Sequence, residues 1–216
     1  MLEALKQDLA KAIECLKQEN IRLLGKGSMT LFDRSNNLIL TEPATSDSNC
    51  DADSILITDT NGSIVEGTGN LIPSLPAHLE LYRSFSTIGA IVHSHGLYTT
   101  AWAQSGRDIP VYGTNHLEFF KEAIPCTHAV TLENAEESYG SAAGRCMVEI
   151  FQKKALNPES VPAVLLFQHG AYVWGHNVDE AIHHAVALEK IAHLAFLTEK
   201  INADITDRAG NITPRY

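Results

Sequence analysis

The first twenty residues, MLEALKQDLAKAIECLKQEN, place Leu2, Leu5, Leu9, Ile13 and Leu16 three or four apart. Lys6, Asp8, Lys11, Glu14 and Lys17 occupy the other face, which is the spacing of an amphipathic helix and not of a secretory signal. Beyond it the periodicity shortens. Ser28–Phe32 and Asn37–Thr41 read as strands flanking the turn Asp33-Arg34-Ser35-Asn36. Ser54–Asp59 and Ser63–Val65 form a second pair around Thr60-Asn61-Gly62, a hairpin signal because asparagine and glycine tolerate the turn's backbone angles.

Pro76 suits the first turn of a helix reaching about Phe85, with Leu79, Tyr82 and Phe85 on one side. Ile88–His95 is a dense apolar strand, and Thr99–Ser105 and His116–Ala123 read as short helices. A helix from about Ala135 to Ala155 follows, then a strand over Ala163–Gln168 that ends at His169-Gly170. The last helix runs from about Val178 to Lys200, with Ile182, Val186, Ile191, Ala195 and Phe196 at roughly helical spacing. Helices alternate with short strands, with hairpins early and no internal repeat. The fold class this implies is α/β, a three-layer α/β/α sandwich around a mainly antiparallel sheet. With 216 residues, one domain over residues 1–216 is expected.

The composition, 44% hydrophobic and 19% charged, is that of an ordinary soluble globular protein. A formal net charge of -10 argues against nucleic acid as a partner, since a phosphate backbone needs a positive surface. No stretch approaches the roughly 20 uncharged apolar residues of a membrane helix. Cys15, Cys50, Cys126 and Cys146 are spread out without a CxxC pair, so reduced thiols and a cytoplasmic location are expected. A small-molecule substrate is the default.

Val92-His93-Ser94-His95-Gly96 ends one apolar run and Leu166-Phe167-Gln168-His169-Gly170 ends another. Residues i and i+2 of an extended strand project to one face, so His93 and His95 can converge on one ion. Two strand ends of one sheet can add His169. Three neutral imidazoles suit Zn²⁺ or another first-row ion such as Mn²⁺ or Fe²⁺ and leave positions open for a substrate. An HxH pair is also often two partly buried histidines, and spacing does not choose between these readings. His183, His184 and His193 read as helix-surface residues, and His78 as part of its helix face. His176 and Glu180, four apart, are a weak second metal pair. Glu118, among Leu117, Phe119 and Phe120, is the candidate proton-transfer carboxylate if desolvated, or else an exposed side chain favoured by a helix start.

Six ordered segments resemble the class II aldolase/adducin family, and within it the L-ribulose-5-phosphate 4-epimerases most closely, with the L-fuculose-1-phosphate aldolases also similar. They are MLEALK at the start, IGAIVHSH at 88–95, AWAQSGRDIP at 101–110, GTNHLEFF at 113–120, AIPCT at 123–127 and QHGAYVWG at 168–175. The resemblance implies zinc held by His93, His95 and His169, an acid/base at Glu118, and a homotetramer with its active site between subunits. It also implies retro-aldol chemistry on a sugar or related hydroxy-carbonyl compound, in which a metal stabilises an enediolate.

The chain departs from the family at three places. Glu42, Ala44 and Thr45 stand where a lysine, a hydroxyl and a glycine help hold a substrate phosphate. A carboxylate facing a phosphate at about 4 Å repels by roughly 4 kcal/mol at an effective dielectric of about 20, so an unphosphorylated substrate is expected. Ser74-Leu75 replaces the acidic residue that commonly precedes the helix at 76–85. Tyr216 stands in for a tyrosine carried on a longer C-terminal tail. The alternatives are an Fe- or Mn-dependent oxidative or decarboxylating enzyme on a small keto acid, and a non-catalytic adducin-like assembly module.

Overall fold

The computed structural model describes residues 2–22, 25–44, 50–133 and 138–205. Tyr216, Thr45 and the expected helix start at Ala135 lie outside them. Helix α1 (Leu2–Gln18) leads into strands β1 (Gly27–Asp33) and β2 (Leu38–Thr41), then β3 (Leu56–Asp59) and β4 (Ile64–Glu66). Helix α2 (Leu75–Ser84) precedes β5 (Ala90–Ser94), which is followed by α3 (Leu97–Ser105), α4 (Thr114–Phe119) and α5 (Tyr139–Lys154). Strands β6 (Ala163–Leu166) and β7 (Gly170–Gly175) and the long helix α6 (Val178–Ile201) complete the order.

The strands make one seven-stranded sheet in the order β4-β3-β2-β1-β5-β7-β6. Each neighbouring pair runs antiparallel. Helices α1, α3 and α6 pack against it from one side, and α2 and α5 pair with each other on the opposite side. The expected three-layer α/β/α architecture is therefore the observed one. The apolar stripe of α1 becomes its buried face: Leu9, Ile13 and Leu16 are fully enclosed. Each such side chain contributes about 1.5–3 kcal/mol.

Two expectations change. Asp33 stays in β1, and the turn is Arg34–Asn37, with Asn37 in the left-handed region at φ 55°. The Asp33 carboxylate accepts the N–H groups of Ser35 and Asn36 at 3.1 and 3.3 Å, which fixes this later turn. The segment after His169 is also a strand, β7, lying between β5 and β6. It is buried along its whole length, so the alternation that marks a half-exposed strand is absent from its sequence.

Strand register places the site. Ser28 on β1 pairs with His93 on β5, His93 with Tyr172 on β7, and Tyr172 with Val164 on β6. One row on one sheet face therefore carries a hydroxyl, an imidazole and a phenol. The next row, Thr30, Ile91 and Trp174, lies under α2. There Thr30 Oγ1 is 2.8 Å from His78 Nδ1 and 2.9 Å from the Tyr82 hydroxyl.

Candidate metal centre

His93 and His95 leave the end of β5, and His169 sits in the three-residue hairpin loop that joins β6 to β7. Since β5 and β7 are antiparallel neighbours, the end of one meets the start of the other. The His93 ring lies 4.7 Å from that of His95 and 5.1 Å from that of His169, and the last two rings are 4.9 Å apart. One nitrogen from each residue lies within 4.8 Å of the others, and among the described residues this is the one group of three with metal-ligand character. A tetrahedral zinc with bonds of about 2.0–2.1 Å needs donors roughly 3.3 Å apart, so small ring rotations close the set.

The backbone around the trio is tightly specified. A Cβ on Gly170 would lie 2.5 Å from the Ser94 carbonyl oxygen and 3.3 Å from the His95 ring, so only glycine lets β7 start this close to β5. Gln168 holds φ 56°, a left-handed conformation that costs a non-glycine residue about 1 kcal/mol or more. Its N–H is anchored on the Ala103 carbonyl at 3.0 Å. On the other side, the Glu189 carboxylate of α6 accepts the N–H groups of Tyr98 and Thr99 at 2.8 and 3.0 Å. That carboxylate caps α3 immediately after the His-Ser-His-Gly turn.

Burial lowers the pKa of all three histidines. His93, buried and beside two further imidazoles, is held well below the ordinary value; His95 is lowered to about 4, and His169 is also lowered. All three are therefore neutral at neutral pH, the form that coordinates metal. His93 Nε2 is buried and has no hydrogen-bond partner. A buried nitrogen left unsatisfied costs about 1–3 kcal/mol, which a divalent ion bound there would recover. The donor set thus fits such an ion. Tyr172 stacks on His93 from the far side at 4.4 Å and 10°, fixing the ring plane.

These histidines line a cleft of about 430 Å³ together with Lys26, Ser28, Glu42, Ser74, Tyr139 and Tyr172. Ser28 and Ser74 are hydrogen-bonded to each other at 2.7 Å. Glu42 is 3% exposed and does not confront the cleft as a bare charge. Its Oε2 accepts Arg22 Nη1 at 2.9 Å, and its Oε1 accepts both Arg22 Nη2 and the Met29 N–H, the latter at 2.7 Å. The repulsion expected from Glu42 alone is therefore offset by Arg22. The same pairing also keeps Arg22 from serving as a free cation. Arg34 is committed elsewhere, with Nη2 donating to the carbonyls of Tyr82, Phe85 and Ile88. Lys26 is the cation that lines the cleft.

Glu118 lies elsewhere within the chain. It is exposed near the end of α4, not at the helix start expected for it, because α4 already begins at Thr114 and closes where Phe120 N–H bonds the His116 carbonyl at 2.9 Å. Neither helix-start stabilisation nor desolvation within one subunit applies to it. It lines a larger groove of about 970 Å³ with Leu5, Phe119, Ile182, His183 and Val186, between α1 and α6. Of the other histidines, His193 stacks on Tyr98 at 3.8 Å and His184 Nδ1 donates to the Trp174 carbonyl at 2.8 Å. His176 pairs with Glu180 at 2.7 Å and Glu159 at 3.6 Å, an exposed ion pair.

Tyr139, Tyr172 and Arg22 are site residues that sequence reasoning does not single out. Tyr172 is recognisable only through its register partner His93, and Arg22 only through a contact twenty residues away. Tyr139 has a weak signal in Ser138, which caps α5 by accepting the Ser141 N–H at 3.1 Å.

The sequence model of the class II aldolase and adducin N-terminal domain matches residues 7–196. An L-fuculose 1-phosphate aldolase superposes with a TM-score of 0.76 at 22% identity, covering 94% of this chain and 90% of its own. YgbL from Klebsiella pneumoniae, provisionally described as an aldolase/epimerase/decarboxylase, gives 0.75 at 19%, covering 96% and 94%. The L-fuculose-1-phosphate aldolase from Thermus thermophilus gives 0.68 at 18%, covering 95% and 97%. At these identities the structural matches establish the shared fold, and the sequence match extends over most of the chain: the protein belongs to the class II aldolase and adducin N-terminal domain family.

Proposed function

We propose that this chain is a metal-dependent aldolase- or epimerase-type enzyme that breaks and re-forms a carbon–carbon bond beside the carbonyl of a sugar or related hydroxy-carbonyl substrate. The observation that carries this reading is the trio His93, His95 and His169, with the buried, unpartnered Nε2 of His93, in the wall of a substrate-sized cleft. The three residues would hold a divalent cation, zinc first, with Mn²⁺ or Fe²⁺ as alternatives. Such an ion supplies Lewis-acid stabilisation of the negative charge that develops on the carbonyl-side oxygens. The cleft's neutral imidazoles and the stacked Tyr172 hold the donor geometry fixed. The substrate end next to Glu42 carries no phosphate, because the nearby guanidinium is already bound to a carboxylate.

Proton transfer to and from the substrate hydroxyl is assigned to Glu118. Since Glu118 is not among the residues lining the histidine cleft of its own chain, it acts on the cleft of a neighbouring subunit in a homotetramer. Exposed apolar side chains on α6, Leu194 and Leu197 among them, supply surface for that assembly. Tyr216, outside the described residues, is the second acid/base candidate that the family resemblance carries.

The test is metal analysis of the purified protein and of His93→Ala, His95→Ala and His169→Ala, with turnover assays on paired phosphorylated and unphosphorylated ketoses. Unchanged metal stoichiometry in His169→Ala sinks the three-histidine site. A second reading, decarboxylation of a hydroxy-keto acid, draws on Glu42 being, among the described residues, the one carboxylate lining the cleft and already carrying three donated hydrogen bonds. Loss of carbon dioxide needs no base at a substrate hydroxyl. Measuring carbon dioxide release on the same substrate panel separates the two.

A further inference from the structure

Helix α5 starts at the histidine cleft, and its first residue, Tyr139, lines it. The Tyr139 ring is centred 6.0 Å from that of His169, and the residue is 50% exposed. Its phenolic hydroxyl has no hydrogen-bond partner among the described residues. Other oxygen-bearing side chains of the cleft are engaged: Ser28 with Ser74, Glu42 with Arg22 and Met29. Tyr172 is buried and pressed against His93. Tyr139 is thus a half-exposed cleft hydroxyl with neither its donor nor its acceptor engaged among the described residues.

The position is also a rigid one. Ser138 caps α5, and at Gly140 an added Cβ would lie 3.0 Å from the Pro73 carbonyl oxygen and 3.3 Å from Pro76. The start of α5 is therefore pressed against the start of α2, and Tyr139 is carried on a fixed element.

We propose that Tyr139 is a substrate-binding residue whose phenolic O–H donates a hydrogen bond to an oxygen of the hydroxy-carbonyl compound seated beside His169. The proposal rests on the metal-dependent reading above. It gives the cleft an orienting donor from its own chain, independent of any group a neighbour supplies. Together with an ion held by the imidazoles, the phenol would limit the orientations open to the substrate.

The experiment uses the zinc-loaded protein and glycolohydroxamate, an unphosphorylated mimic of a carbonyl with a vicinal hydroxyl. Tyr139→Phe removes only the hydroxyl from a half-exposed ring. The expected result is roughly tenfold weaker hydroxamate binding, the net worth of one hydrogen bond, with zinc content and melting temperature as in wild type. Unchanged hydroxamate affinity in Tyr139→Phe, with wild type binding normally, overturns the role of Tyr139 and leaves the metal-centre reading standing. A zinc-loaded wild type that binds no hydroxamate overturns both. Weakened binding accompanied by lost zinc also overturns it, since the residue would then be supporting His169 and not the substrate.

Discussion

In the histidine cleft several polar atoms of the wall are bonded to one another, serine to serine and glutamate to arginine, and what remains open is the set of imidazole nitrogens with the Tyr139 hydroxyl beside them. The groove between α1 and α6 is the opposite case. It is more than twice as large, it holds no cluster of metal-ligand side chains among the described residues, and its candidate functional group, Glu118, stands exposed. A single chain can preorganise metal ligands because they come from adjacent strands of one sheet. It does not bring Glu118 to them, because α4 delivers that residue to a different cleft. In the proposed enzyme, ion binding is thus assembled within the subunit, and proton transfer depends on a second one.

The largest expected effect is on the complete side of this comparison. His169→Ala should lose bound metal and reduce turnover to background, checked by metal stoichiometry alongside initial rates. Glu118→Gln should do something different: turnover falls about 10²–10⁴-fold, the usual contribution of a positioned acid/base group, while metal content stays at the wild-type level. A charge placed in the groove, Val186→Asp, should give the same pattern together with a smaller particle in light scattering. If Val186→Asp forms fully active monomers, the division between the two regions collapses.

Glu42→Ala tests whether the cleft wall is held by its ion pair. It leaves the Arg22 guanidinium buried without its partner, which should cost about 3–5 kcal/mol in denaturant unfolding. A loss below about 1 kcal/mol would mean that water or another acceptor replaces the carboxylate.

The most gradual effect is a pH slope. Burial lowers His78 from its ordinary value of 6.5 to about 3. Below 6.5 the unfolded chain takes up a proton there that the folded chain refuses, so stability falls as pH falls through this window. The contribution is about 1.4 kcal/mol per pH unit down to about 3. His78→Gln should reduce the acid slope of the unfolding free energy relative to wild type by that amount. Equal slopes would place the titration elsewhere.

The amphipathic helix at the start, the long helix at the end, the two early hairpins and the dense strand before His93 are legible from spacing, because each buries one face or one whole run of local residues. The histidine trio is legible as a set of candidates, since an i, i+2 pair on a strand must share a face. Strand β7 is not, because a strand buried on both sides shows no alternation, and glycine at each end reads as a turn. The surroundings of Glu118 escape local reading, because whether a carboxylate beside Leu117 and Phe119 is desolvated depends on what packs over it. The charge at Glu42 escapes it for the same kind of reason: position 42 reads as an unpaired anion until Arg22 is folded against it. Backbone periodicity was enough to say which residues could be ligands and which faces had to be buried. It took the folded chain to set β7 beside β5, so that His169 meets His93 and His95, and to put Tyr139 in their cleft and Glu118 in another. Those placements depend on strand order and helix packing between residues tens of positions apart, and no local pattern encodes such distances.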